Sequence, residues 1–131
     1  MATYSPSLKI TLLADGEQSG TWGQTQNNNL GTLLEQAITG VQTITMSNAT
    51  YTMSFYQGAS DEARNAVLQL VGTNLAPQNL VAPGVQKVYI VSNKSGNTVT
   101  ITTGGGSNVA IANSSTSLVY CDGTNFYSAT P

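Results

Sequence analysis

Residues 87–105 read KVYIVSNKSGNTVTITTGG. Val88 and Ile90, then Val99 and Ile101, recur at every second position around a Gly-containing turn, SNKSGN. Side chains of an extended strand point alternately to opposite faces, so a period of two marks strands. Two such runs about a short Asn/Ser/Gly turn predict an antiparallel hairpin. Downstream, NVAIAN (108–113) follows a triple-glycine turn. TSLVYC (116–121) and TNFYSA (124–129) flank Asp122-Gly123, a strong turn dipeptide, and predict a second hairpin. Upstream, VQTITM (41–46), TYTMSF (50–55), AVLQLVG (66–72) and NLVAPG (79–84) read as further short strands. Strands recurring roughly every 8–12 residues predict a mainly β chain, an antiparallel β-sandwich or jelly-roll-like domain over residues 41–131.

Residues 1–40 have a different pattern. LKITLL (8–13) reads as a short strand, and Asp15-Gly16 and Ser19-Gly20 as turns. From about 24 to 38 the apolar residues Leu30, Leu33, Leu34, Ala37 and Ile38 fall at i, i+3, i+4, i+7 and i+8, the stripe of an amphipathic helix. Thr25 is the expected N-cap and Gly40 the expected stop. The opposite face carries Asn27, Asn28, Asn29, Thr32 and Gln36, residues of modest or poor helix propensity. Such a helix is marginal alone and must bury its stripe, against the chain's own sheet or against sister copies. Trp22, one turn earlier, is the expected packing anchor.

Composition narrows the function. Thr, Ser, Gly, Asn and Gln make up about half of the 131 residues, whereas charged residues are 8%, against roughly 25% in an average protein. The net charge is -2, and the four basic residues Lys9, Arg64, Lys87 and Lys94 are scattered. That excludes the basic stripe of a nucleic-acid binder and the polybasic patch of a membrane-surface protein. No apolar run nears the ~20 residues of a membrane helix. The N-terminus has no basic region followed by a long apolar stretch, so it does not read as a signal peptide, and synthesis in a reducing cytosol is expected.

The chain has no His, the commonest general base and metal ligand. Cys121 is the one cysteine, so no intrachain disulfide forms, and its place on an alternating strand makes it a small core residue. Adjacent Asp61 and Glu62 point apart in extended chain and read as part of a solvated loop, residues 57–66, with Arg64 as an ionic partner and Ser60 as the cap of one helical turn. Asp15-Gly16-Glu17 has too few carboxylates for a calcium loop, and Gly104-Gly105-Gly106 lacks the lysine of a phosphate loop. No catalytic residue, metal ligand or cofactor is expected, and an enzyme is not the expected class. Tyr51, Tyr56 and Tyr127 are candidate glycan contacts, since tyrosine rings stack on sugars, although packing explains such residues equally well. Thr-rich strands without lysine gatekeepers, beside a helix in need of a partner, predict a homo-oligomer.

The strings LKITLLADGEQSGTWGQTQNNNLGTLLEQAI (8–38), ASDEARNAVLQLVG (59–72), PGVQKVYIVSNKSGNTVTI (83–101) and LVYCDGTN (118–125) resemble a family of virion proteins of tailed bacteriophages, tail fibres and related structural proteins, many from marine and cyanobacterial hosts. The SGTWG turn leading into NNNLGTLLEQAI and the DEARN segment are the most specific pieces. The resemblance implies a non-enzymatic, typically homotrimeric protein assembled in the host cytoplasm and located in the virion tail. Residues 1–40 would dock on the tail or baseplate, with Trp22, Leu30, Leu33, Leu34 and Ile38 facing the oligomer axis or attachment site, and the β domain would project. A glycan-binding host-recognition module and a capsid decoration or head fibre are the alternatives.

Overall fold

A computed structural model describes residues 3–14, 16 and 19–129. Strands β1 (Thr3–Tyr4) and β2 (Thr11–Leu12) form a small antiparallel ribbon. The turn residues Asp15 and Glu17 lie outside the described residues. A helical segment then runs in three consecutive parts: α1 (Trp22–Asn28), a π-helical stretch (Asn29–Leu34) and α2 (Glu35–Thr39). It starts earlier than the expected Gln24. Thr21 occupies the cap position, and Thr25 lies inside α1. Gly40 ends it as expected, in extended rather than left-handed conformation. Glycine is needed there for space, since a Cβ would stand 2.2 Å from Asn65 Oδ1 and 2.5 Å from the Gln36 carbonyl oxygen.

The β body consists of β3 (Val41–Met46), β4 (Tyr51–Thr52), β5 (Val67–Gly72), β6 (Gln78–Val81), β7 (Gln86–Lys94), β8 (Val99–Thr102), β9 (Val109–Ile111), β10 (Ser115–Asp122) and β11 (Phe126–Ser128). One sheet has the order β11-β10-β7-β5-β3, the other β4-β6-β8-β9. The chain is mainly β with one helical segment, in line with its alternating pattern, but the pairing differs from an antiparallel sandwich. From β3 to β8 successive strands alternate between the two sheets. β3, β5 and β7 pair in parallel, as do β4, β6 and β8. This is the connectivity of a three-coil parallel β-solenoid. Antiparallel pairing is confined within the body to β8·β9, β7·β10 and β10·β11.

The hairpin expected across residues 87–105 is therefore not one. β7 and β8 lie in different sheets, and the SNKSGN turn is a corner between them. Alternation fixes which face a residue takes but not which strand it pairs with. A buried polar column decides the corner. The fully buried Asn93 side chain donates to the carbonyls of Asn97 and Ile111, each at 2.8 Å, and accepts from the amide and hydroxyl of Ser95. Asn74, at the corner after β5, donates to the Ser95 hydroxyl at 3.0 Å, and its Oδ1 accepts from the Asn48 amide at 2.9 Å. Each corner is thus tied to the next coil by hydrogen bonds, and those of Asn93, Ser95 and Asn74 that are buried are the costliest to lose. The second hairpin forms as expected, β10 against β11 about Asp122-Gly123.

Both sheets turn one face to a shared core. Ile44, Met46, Leu68, Leu70, Tyr89, Val91, Val119, Cys121 and Phe126 come from the five-stranded sheet, and Leu80, Val99, Ile101 and Ile111 from the other. Cys121 is a core residue, as expected. Val88 and Ile90 of β7 point the opposite way, into solvent.

Candidate functional site

The helix does not present its five apolar residues as one stripe. Leu33 is fully buried, Leu34 and Ala37 are half-buried, and Leu30 and Ile38 are exposed. The wide turn of the π-helical stretch spreads residues three apart around the axis, separating Leu33 from Leu30. Trp22, Leu30 and Ile38 remain 59–67% exposed among the described residues.

The asparagines that weaken the helix attach it. Asn29 is buried; its amide nitrogen donates to the Thr11 carbonyl at 2.8 Å, and its carbonyl accepts from the Thr11 amide at 3.0 Å. It thereby bonds β2 as a neighbouring strand would. Asn28 donates to the Gly58 carbonyl at 2.9 Å, and Gln36 exchanges hydrogen bonds with Ser60. Three successive asparagines in a helix oppose its propensity. That mismatch is the sequence signal for this attachment.

The segment 57–66 is not the solvated loop expected of it. Arg64 and Asp61 are buried, 3.6 Å apart. Arg64 donates to the carbonyls of Leu8, Tyr56 and Ala59, joining the N-terminal arm to the body. Asp61, rather than Ser60, caps the turn through the Arg64 amide at 2.9 Å, and it also accepts from the Tyr56 amide. Burial pushes the Asp61 carboxyl up; the Tyr56 amide and Arg64 pull it back down. Glu62 turns to the other side, accepting from the Ser54 amide and the Tyr51 hydroxyl. That bond to a carboxylate is the main reason the Tyr51 phenol is pushed up to about 12. Ala63 is buried and takes the Tyr89 hydroxyl on its carbonyl at 2.9 Å. Asn65 closes the turn onto the carbonyls of Asp61 and Glu62. Every residue of DEARN thus serves as a structural fastener.

The candidate glycan contacts do not converge. Tyr51 belongs to β4 in the four-stranded sheet, half-buried with its hydroxyl engaged. Tyr56 is exposed in the loop that follows. Tyr127 sits on the outer face of the other sheet, against Tyr120 at 5.3 Å between ring centroids. Lys87, on the inward side of β7, has its ammonium 4.7 Å from the Tyr89 ring centre. Burial, helped by the Arg64 charge, lowers its pKa to about 8.

Among the described residues there is no enclosed pocket and no cluster of three acidic, His or Cys side chains. No described helix is long and apolar enough to cross a membrane. The conspicuous unfilled features are the apolar surfaces. No family model, curated protein or solved structure matches the chain.

Proposed function

We propose that this chain is a structural protein of a tailed-phage virion, a short homotrimeric tail fibre rather than an enzyme. Residues 1–40 dock it on the tail or baseplate, and the β body projects. The observation that carries the reading is the helix left with Trp22, Leu30 and Ile38 in solvent. A helix of this composition gains most of its stability by burying an apolar face, and these three side chains are left mostly exposed among the described residues. The resemblance of the SGTWG and NNNLGTLLEQAI strings to virion proteins supports the same assignment. Leu33 acts within the protomer; Leu30 and Ile38, with Trp22, meet the sister chains.

Light scattering coupled to size exclusion tests the assembly. The wild-type mass is expected to be a multiple of three times 13.6 kDa. Leu30→Ser combined with Ile38→Ser reduces it threefold while the β circular dichroism persists. An unchanged mass in that variant refutes the helix as the interface. Gold-labelled antibody on intact particles should mark the tail; label on the head would identify a decoration protein instead.

A further inference from the structure

The outer face of the five-stranded sheet carries an apolar belt that the protomer leaves uncovered. Cross-strand register places Val41, Val67, Ile90 and Leu118 in one row over four strands. Val88, Tyr120 and Tyr127 form the adjacent row. Val88 is 57% exposed, and Val41, Ile90, Tyr120 and Tyr127 are also open to solvent. The neighbouring row is neutral: Thr43, Gln69, Ser92 and Thr116.

Charge on this face is confined to its ends. Lys94 closes β7 at one end, and Asp122 closes β10 at the other, beside Gln86 in the register. We propose that this face packs against the same face of a second copy, about a two-fold axis running across the strands. That operation reverses the strand direction. It brings Lys94 of each copy over the β7 start of the other, offset from Asp122 by one strand spacing, about 4.8 Å, along the sheet and by the roughly 10 Å between packed sheets, a gap the lysine and aspartate side chains span together. Two symmetric ion pairs then bracket a neutral, apolar middle. A two-fold axis along the central strand β7 would instead set Lys94 against Lys94. The strand axes of the two sheets would cross at the roughly 30° of aligned sheet packing.

The size of the face fits. Four strands of six to nine residues and the three-residue β11, about 4.8 Å apart, offer roughly 500 Å². A stable interface hides about 800 Å² of accessible surface per partner, and accessible area exceeds the flat area of a corrugated face. The inference rests on the reading of the chain as a self-assembling protein and adds a second interface to the helical one.

Mass in solution separates the two. With both interfaces formed, the wild-type protein contains an even number of copies. Ile90→Asp places a carboxylate in the belt on an outward position and is expected to halve the mass, as is Val88→Asp; a wild-type circular dichroism spectrum and a cooperative melting transition show that each variant folds. Leu30→Ser with Ile38→Ser instead reduces the mass threefold. Lys94→Gln is expected to weaken the sheet contact several-fold. A wild-type protein with an odd number of copies, or unchanged mass in both face variants, overturns the sheet interface and leaves the helical one standing. Tighter association of Lys94→Gln overturns the crossing axis.

Discussion

Replacing Arg64 with Met tests the fastener that joins the N-terminal arm to the β body. The guanidinium serves three carbonyls, those of Leu8, Tyr56 and Ala59, and faces the Asp61 carboxylate at 3.6 Å. Methionine fills much of the volume and supplies no donor. Hydrogen bonds to charged groups contribute about 1.5–3 kcal/mol each. Breaking a buried ion pair from one side costs about 3–5 kcal/mol, since the surviving charge stays desolvated. These figures overlap, so a loss of about 4 kcal/mol is expected, a large part of the 5–15 kcal/mol of a typical domain. Urea unfolding followed by circular dichroism reads it as a shift of the midpoint multiplied by the slope. A cycle with Asp61→Asn isolates the cause. In the wild-type background Asp61→Asn weakens the pair and destabilises. In the Arg64→Met background it removes an uncompensated buried charge, so it is neutral or stabilising, with a coupling of about 2 kcal/mol. Additive costs, or an Arg64→Met loss below about 1 kcal/mol, refute the account of DEARN as a buried fastener.

Two further outcomes follow from the core and its corners. Lys87 titrates near 8 in the folded chain against 10.5 unfolded, so the unfolded chain binds more protons between these values, and stability rises with pH across that window. The urea midpoint of the wild type should climb between about pH 8 and 10.5 relative to Lys87→Met, and both proteins should lose stability above pH 10 as Tyr51, raised to about 12, ionises first in the unfolded chain; a pH-independent difference between the two proteins refutes the buried lysine. Gly72 has φ +121° and stands where a Cβ would approach the Met46 carbonyl oxygen to 2.1 Å, so Gly72→Ala must part the first two coils and should cost about 3 kcal/mol in the same assay. A wild-type midpoint in that variant would mean that the coils are not locked at this corner.

Strand positions were readable from the period of two. VQTITM corresponds to β3 over its whole length, and AVLQLVG to β5 with one residue to spare. The Asp122-Gly123 hairpin was also readable, because the short turn between β10 and β11 leaves little choice of partner. Residues 87–105 were misleading for a related reason. Their turn is longer, and strand pairing there depends on Asn93, Ser95 and Asn74, which bond to groups 18 to 28 residues away as well as nearby. The helical stripe was legible as apolar spacing. Its division into a buried Leu33 and an exposed Leu30 and Ile38 was not, because the π-helical turn changes the angular step on which the pattern depends.

The sequence by itself determined the class of the protein: a β-rich chain with one helical segment and few charges. Those properties follow from local periodicity and composition, which need no knowledge of distant contacts. The tertiary structure decided the parallel coiling, the burial of Arg64 and Asp61, and the belt of Val41, Ile90, Val88 and Tyr120 on an open face. Each is set by which distant segments meet. A charged residue in a turn-rich stretch looks solvated until an arm some fifty residues earlier brings the carbonyl that receives it. A strand such as β7 carries apolar residues on both faces, and only the second sheet decides which face is core and which is left open to solvent.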